Sequence, residues 1–198
     1  MAINSVNHRS ANQTGVTLLE LLITMVILTV IISMAIPASS KLIELSQAKS
    51  VTQQIYRAIQ FTRAEAIKRG ESVVICPLDI ATGVCSSDWS QALMSFPDSD
   101  GDGALSGPEK VLLTVPEVTA GKVFVRPGFL KRVQFNGLGY SPGVMGNLTY
   151  CPRGESTTPA AIRRLIFTMN GRTRWAQDND GNGVPEDSEG NPLNCSNG

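Results

Sequence analysis

Histidine is almost absent from this chain: one residue, His8, among 198. A polypeptide with no histidine beyond its first few residues cannot build a Ser-His-Asp or Cys-His nucleophile system. No pair of cysteines stands two residues apart, so a thiolate zinc site is disfavoured. No glycine loop has the spacing that cradles a phosphate. Aromatic residues are 6% of the chain and charged residues 17%. Together these shortages point away from an enzyme.

The sequence is instead rich in one long apolar run. From Val16 to Ile36 the only formal charge is Glu20, and as a helix this stretch would span roughly 32 Å, about the thickness of a bilayer's hydrocarbon core. A carboxylate near one end of a membrane helix is costly unless something pairs with it, which marks Glu20 as a functional contact. An amine is the natural partner: if the chain is cut after Gly15, Val16 becomes a free N-terminus one helical turn from Glu20. A secretory signal would want a basic leader, a shorter apolar core and a small-residue site such as Ser33-Met34-Ala35. Here Arg9 and His8 are the only basic groups upstream, and Glu20 lies inside the run. A plain single-span anchor carrying a β-rich domain, with no filament role, is the other alternative. The weak positive flank keeps the leader cytoplasmic and sends the rest outside.

The run Gly15-Val16-Thr17-Leu18-Leu19-Glu20 resembles the class III signal of type IV pilins and pseudopilins. That resemblance implies a prepilin peptidase that cuts after Gly15 and methylates Val16. It also implies that Glu20 answers the N-terminal amine of a neighbouring subunit during filament assembly. The new N-terminus is Val16 where the family usually has phenylalanine, and Thr14 rather than a basic residue precedes Gly15.

Past Pro37, which should kink the helix, Ala48, Val51, Ile55, Ile59, Thr62 and Ala66 recur at three- and four-residue spacing. This predicts an amphipathic continuation running to about Arg69, with Gly70 as its stop. From Glu71 the text changes to short β-branched and aromatic runs between Gly, Pro and Asp clusters. Strands are expected near 73–76, 91–96, 111–115, 123–126, 132–135, 147–151, 165–169 and 172–175. The chain therefore divides into a leader (1–15), a membrane and assembly helix (16–36), its amphipathic continuation (37–70) and a β-rich head (71–198).

Three segments resemble the GspH/FimT family of minor pilins and pseudopilins: Arg63 to Arg69 at the helix end, Asp88-Trp89-Ser90 before a strand, and Gly171-Arg172-Thr173-Arg174. Phe135-Asn136-Gly137-Leu138-Gly139 fits a turn that these proteins place between sheets. The resemblance implies an α+β, type IV pilin-like fold, with one long N-terminal helix packed on a β-rich globular head. It also implies a subunit that helps initiate a type IV pilus or a type II secretion pseudopilus. Its expected partners are other pilin-like subunits, prepilin peptidase and the inner membrane, with the head in the periplasm.

Charge balance, 17 basic against 17 acidic residues, hides an alternation. Residues 71–120 hold eight acidic and one basic side chain, 121–175 one acidic and nine basic, and 176–198 five acidic and none basic. Cys76, Cys85, Cys151 and Cys195 all follow the apolar run, and in an exported domain an even number reads as two disulfides with three possible pairings. The pairing favoured is Cys76 with Cys85, closing a short loop, and Cys151 with Cys195, tying down the tail.

Two acidic stretches match the spacing of a calcium loop, in which alternating carboxylates and a glycine turn wrap a hard cation. The first is Asp98, Asp100 and Asp102 with Glu109; the second is Asp178, Asp180 and Asn182 with Glu189. Neither looks flanked by two helices, and Asp-Gly turns are also common without metal. A bound ion would be structural; no cofactor is required. Arg172 and Arg174 would share one face of a strand, and with Trp175 beside them they suit phosphate contact and base stacking. FimT-like minor pilins of naturally competent bacteria are associated with DNA binding through a segment that Gly171 to Arg174 resembles, so DNA is a further expected partner. The alternatives are a solvated strand face or one paired with the acidic tail.

Overall fold

The computed structural model describes residues 15–154 and 158–196, without the side chains of 34–38. The expected leader, apart from Gly15, lies outside the described residues, and Pro37, where a kink is expected, falls in the stretch whose side chains are not described. Contacts divide the chain into two units, Met1–Ser40 and Lys41–Gly198.

Helix α1 runs Leu18–Arg69. In the first unit its described side chains are exposed, Leu18 by 79% and Ile31 by 58%. Among the described residues no helix is long and apolar enough to cross a membrane. The expected span, 16–36, enters the stretch without described side chains, and 18–33 alone is shorter than a bilayer requires.

In the second unit, α1 turns the expected stripe inward. Ala48, Ile55, Ala58, Ile59 and Ala66 are buried, with Thr62. The helix ends where Gly70 takes a φ of 68°, donating its N–H to the Ala66 carbonyl at 2.9 Å. This left-handed cap is open to glycine at little steric cost.

Among the described residues nine strands follow: β1 (Val73–Asp79), β2 (Val84–Cys85), β3 (Leu93–Pro97), β4 (Leu113–Val115), β5 (Gly121–Arg126), β6 (Val133–Phe135), β7 (Gly146–Pro152), β8 (Arg163–Phe167) and β9 (Thr173–Trp175). They form two antiparallel sheets. In the first, β1 is central, pairing with β3 and β6 and, at its far end, with β2, while β4 lies beyond β3. The second runs β5-β7-β8-β9. The two-residue β2 was not expected from the sequence; the Cys76–Cys85 disulfide and a bridge from Val84 to Ala104 hold it.

Both sheets pack on α1. Val73, Ile75, Leu93, Val133 and Phe135 of the first join Val123, Val125, Leu148, Tyr150, Leu165 and Phe167 of the second in one core with the helix. Trp89, fully buried, plugs this core and donates its indole N–H to the Leu130 carbonyl at 2.9 Å. A buried polar pair crosses it, Thr62 Oγ1 to Ser95 Oγ at 2.9 Å. Residues of alternate parity on β1 and β3 (Val74, Cys76, Met94, Phe96) form a second core on the other face of the first sheet.

The helix end, the Phe135–Gly139 turn and the start of β9 interlock. Arg63 Nε donates to the Gly139 carbonyl at 2.9 Å. A Cβ at Gly171 would stand 2.1 Å from that same carbonyl oxygen, so no side chain fits there. The close approach accounts for the glycine that opens the Gly171-Arg172-Thr173-Arg174 segment.

Candidate functional site

Gly15, Val16 and Thr17 precede the helix in non-helical backbone and are exposed. Thr17 is the N-cap. Its carbonyl accepts the Leu21 N–H and its Oγ1 accepts the Glu20 N–H, both at 3.2 Å, satisfying two donors that a helix start leaves open. The Glu20 carboxylate has no hydrogen-bond or ion-pair partner among the described residues. A free carboxylate in the first turn, four residues past the Gly15–Val16 bond, can receive a cation supplied from outside the chain.

The acidic loops differ from each other. In the first, Asp98, Asp100 and Asp102 can bring carboxylate oxygens within 4.8 Å of one another. Asp98 is 1% exposed, accepting the Gly103 N–H at 3.0 Å and a Gln134 amide hydrogen at 3.2 Å. Glu109 stands outside this trio and instead accepts the N–H groups of Ser99 (2.8 Å) and Ser106 (3.2 Å), closing the loop on itself. In the second, the third carboxylate beside Asp178 and Asp180 is Glu186, not Glu189. A bridge between Glu186 and Pro192 turns the chain. Glu189 is thereby left in a separate turn organised by Asp187, which accepts the N–H groups of Glu189 and Asn191 at 2.9 Å each. Asn182 faces back on Asp180, its amide donating at 2.7 Å.

Sequence spacing missed Glu186 because the twelve-residue count presumes the wrap of a helix-flanked loop. The one available signal was Pro185, which interrupts that wrap. Glu186, 5% exposed, accepts the Asn179 N–H at 3.0 Å and its amide at 2.7 Å. The Asn179 N–H beside it holds its carboxyl below the usual carboxylate range. The Asn191 N–H does the same for Asp187.

Arg172 and Arg174 are both exposed and have no side-chain partner among the described residues. Trp175 does not stand beside them as a stacking platform. It faces the helix, its ring 5.6 Å from that of Tyr56. Next to it, Gln60 donates to Thr173 Oγ1. Strand parity is the reason: Thr173 and Trp175 point inward, so Arg174 points out. Register carries the basic character across that outward face, since Arg174 pairs with Ile166, Ile166 with Asn147 and Asn147 with Arg126. Lys122, Phe124 and Arg164 share it. Arg164 titrates below its usual range, chiefly because it is partly buried; Asp187 opposes the shift, and repulsion from Arg126 adds to it.

Cysteines pair as Cys76–Cys85 and Cys151–Cys195, with Cα atoms 5.6 and 5.8 Å apart. The second ties the acidic tail to β7.

Comparison with known proteins gives two family matches: type II transport protein GspH over residues 51–171, and the prokaryotic N-terminal methylation motif over 10–36. No curated protein matches the chain significantly. Among solved structures, the fold is similar to the type IV minor pilin FimU of Pseudomonas aeruginosa, with TM-score 0.50 and 17% identity over 66% of this chain and 88% of that one. A second crystal form of FimU has TM-score 0.46 and 18% identity, covering 66% and 90%. The minor pseudopilin EpsH from the type II secretion system of Vibrio cholerae has TM-score 0.45 and 15% identity, covering 66% and 95%. With a family model matched from Val51 to Gly171, more than half its length, the chain belongs to the GspH family of type II transport proteins.

Proposed function

We propose that this chain is a minor pilin or pseudopilin that helps initiate a type IV pilus or a type II secretion pseudopilus. One observation carries the reading: in the first turn of an exposed apolar helix, four residues beyond Val16, Glu20 has a carboxylate with no partner among the described residues. In this account the precursor sits in the inner membrane with its head in the periplasm. A prepilin peptidase cuts after Gly15 and methylates Val16. The Val16 amine of one subunit then meets Glu20 of another, because a carboxylate in an apolar filament core is tolerated only when paired. The head supplies the surfaces that neighbouring subunits read.

Glu20→Ala tests it. Cleavage should proceed as in the wild type while the subunit fails to enter filaments isolated from the cell surface or periplasm. Normal incorporation of the variant would refute the assembly role of Glu20.

Structural calcium at the two acidic loops is compatible with their donors, which are carboxylate oxygens, the ligands hard cations select. DNA capture is a second reading, favoured by the outward face of the second sheet, where Lys122 and Arg126 flank the exposed Phe124 on β5 and Arg174 lies in the row of Arg126 at the opposite edge. Phosphate contacts would make binding sequence-independent and strongly salt-dependent. In a gel-shift titration, Arg172→Gln with Arg174→Gln should lower affinity and flatten the salt slope. Indistinguishable titrations would reject this reading.

A further inference from the structure

Leu42, Ser46, Lys49 and Gln53 succeed one another at spacings of four, three and four, and so share one face of α1. Leu42 at its start is 68% exposed. The face leads to a cavity of about 350 Å³ between the helix, the start of β8 and the end of β9, with Lys49, Thr52, Gln53, Arg163 and Trp175 in its wall. No carboxylate lines it. The Lys49 and Arg163 side chains have no hydrogen-bond or ion-pair partner among the described residues. Arg164 adds to the rim, but its Nε is turned to Thr149 Oγ1 at 2.9 Å. The Thr52 hydroxyl is likewise spent on the Ala48 carbonyl. What remains is two cations without a partner among the described residues, an amide donor and an indole around one concavity, at the end of a stripe that opens on an exposed leucine.

We propose that this pocket receives an acidic side chain from the helix of a neighbouring pilin-type subunit. The occupant follows from complementarity. Leu42 calls for an apolar contact, and the pocket two turns further on calls for a single anionic group with room for its carbon stem. One amphipathic helix with a carboxylate beyond its apolar residues meets both demands. Lys49 supplies a mobile ammonium from the helix side, and Arg163 a planar fork from the sheet side that can hold the carboxylate through two hydrogen bonds. Such a pair fixes register between subunits, because a slip of one residue leaves the cations uncompensated. The proposal rests on the filament reading above and names where the head meets its neighbour.

Photo-cross-linking of the full chain in native membranes tests it, with p-benzoylphenylalanine in place of Gln53 and, separately, of Leu42. From position 53 the expected product joins an acidic peptide of a second protein that carries its own glycine-to-glutamate processing signal. That product should be lost when Lys49→Glu and Arg163→Glu are combined, reduced with Lys49→Gln and Arg163→Gln, and retained with Lys49→Arg. From position 42 a cross-link to the same class of protein should persist throughout, which also reports that the variants fold and assemble. A cross-link from 42 but none from 53, an adduct at 53 that survives charge reversal, or an adduct that is a small organic anion or nucleic acid would overturn the pocket and leave the filament reading standing. No cross-link from either position would overturn both.

Discussion

Tyr56 and Trp175 meet with ring centroids 5.6 Å apart and planes inclined at 39°. One ring belongs to the helix and the other to the last strand of the second sheet, so the contact closes that sheet onto α1 at its far edge. A tilted aromatic pair at this distance contributes about 0.5–1.5 kcal/mol beyond the area it buries. In a double-mutant cycle, Tyr56→Leu and Trp175→Leu should couple by about that amount. Strict additivity in chemical denaturation would show that the rings are neighbours without being partners.

The two disulfides should differ in weight. Chain-entropy arguments scale with the loop closed, which spans a separation of 9 residues for Cys76–Cys85 and 44 for Cys151–Cys195. Replacing both cysteines of a pair by serine should cost about 2.7 kcal/mol for the first and about 4 kcal/mol for the second. Equal losses in denaturant titrations would contradict that ordering.

Acid should destabilise the tail. Glu186 and Asp187 have folded-state pKa values below their ordinary ones, held there by backbone N–H groups. The stability they contribute is complete above the ordinary carboxylate range, and it is lost as pH falls through that range toward the folded values. Glu186→Gln should flatten the pH dependence of the melting temperature on the acid side in the absence of divalent cations. An unchanged profile would mean that the Asn179 contacts do not persist in solution.

How far the sequence discloses this molecule depends on which force decides each part. The stripe from Ala48 to Ala66 and the stop at Gly70 are local, and they stand where periodicity puts them. Eight strands are likewise announced by β-branched runs. β2 is not, because two residues between turns carry no period, and a disulfide with a single bridge decides them. At the candidate sites the same division holds. Glu20 is singled out by its place in the sequence alone, whereas Thr17 shows itself as the N-cap only in the structure. Glu186 displaces Glu189 because a long-range bridge to Pro192 redirects the loop, and Trp175 is withdrawn from Arg172 and Arg174 by a helix more than a hundred residues earlier in the chain.

If the acidic loops hold calcium, millimolar Ca2+ should raise the melting temperature of the full chain in detergent, since a ligand bound only by the native state stabilises it. Asp100→Ala should remove the first loop's share, and Asp180→Ala or Glu186→Ala the second's. Glu189→Ala should leave the increment intact, because Glu189 stands apart from that trio. A shift that depended on Glu189 and not on Glu186 would contradict the geometry of the second loop.

The central claim is that the chain becomes a filament subunit through processing at its N-terminus, and mass spectrometry of the protein isolated from its native membrane tests that claim most directly. The account predicts a mature chain beginning at Val16 with one methyl group on its α-amine. A mature chain beginning at Ile36, or one that keeps Gly15 and the residues before it, would contradict it.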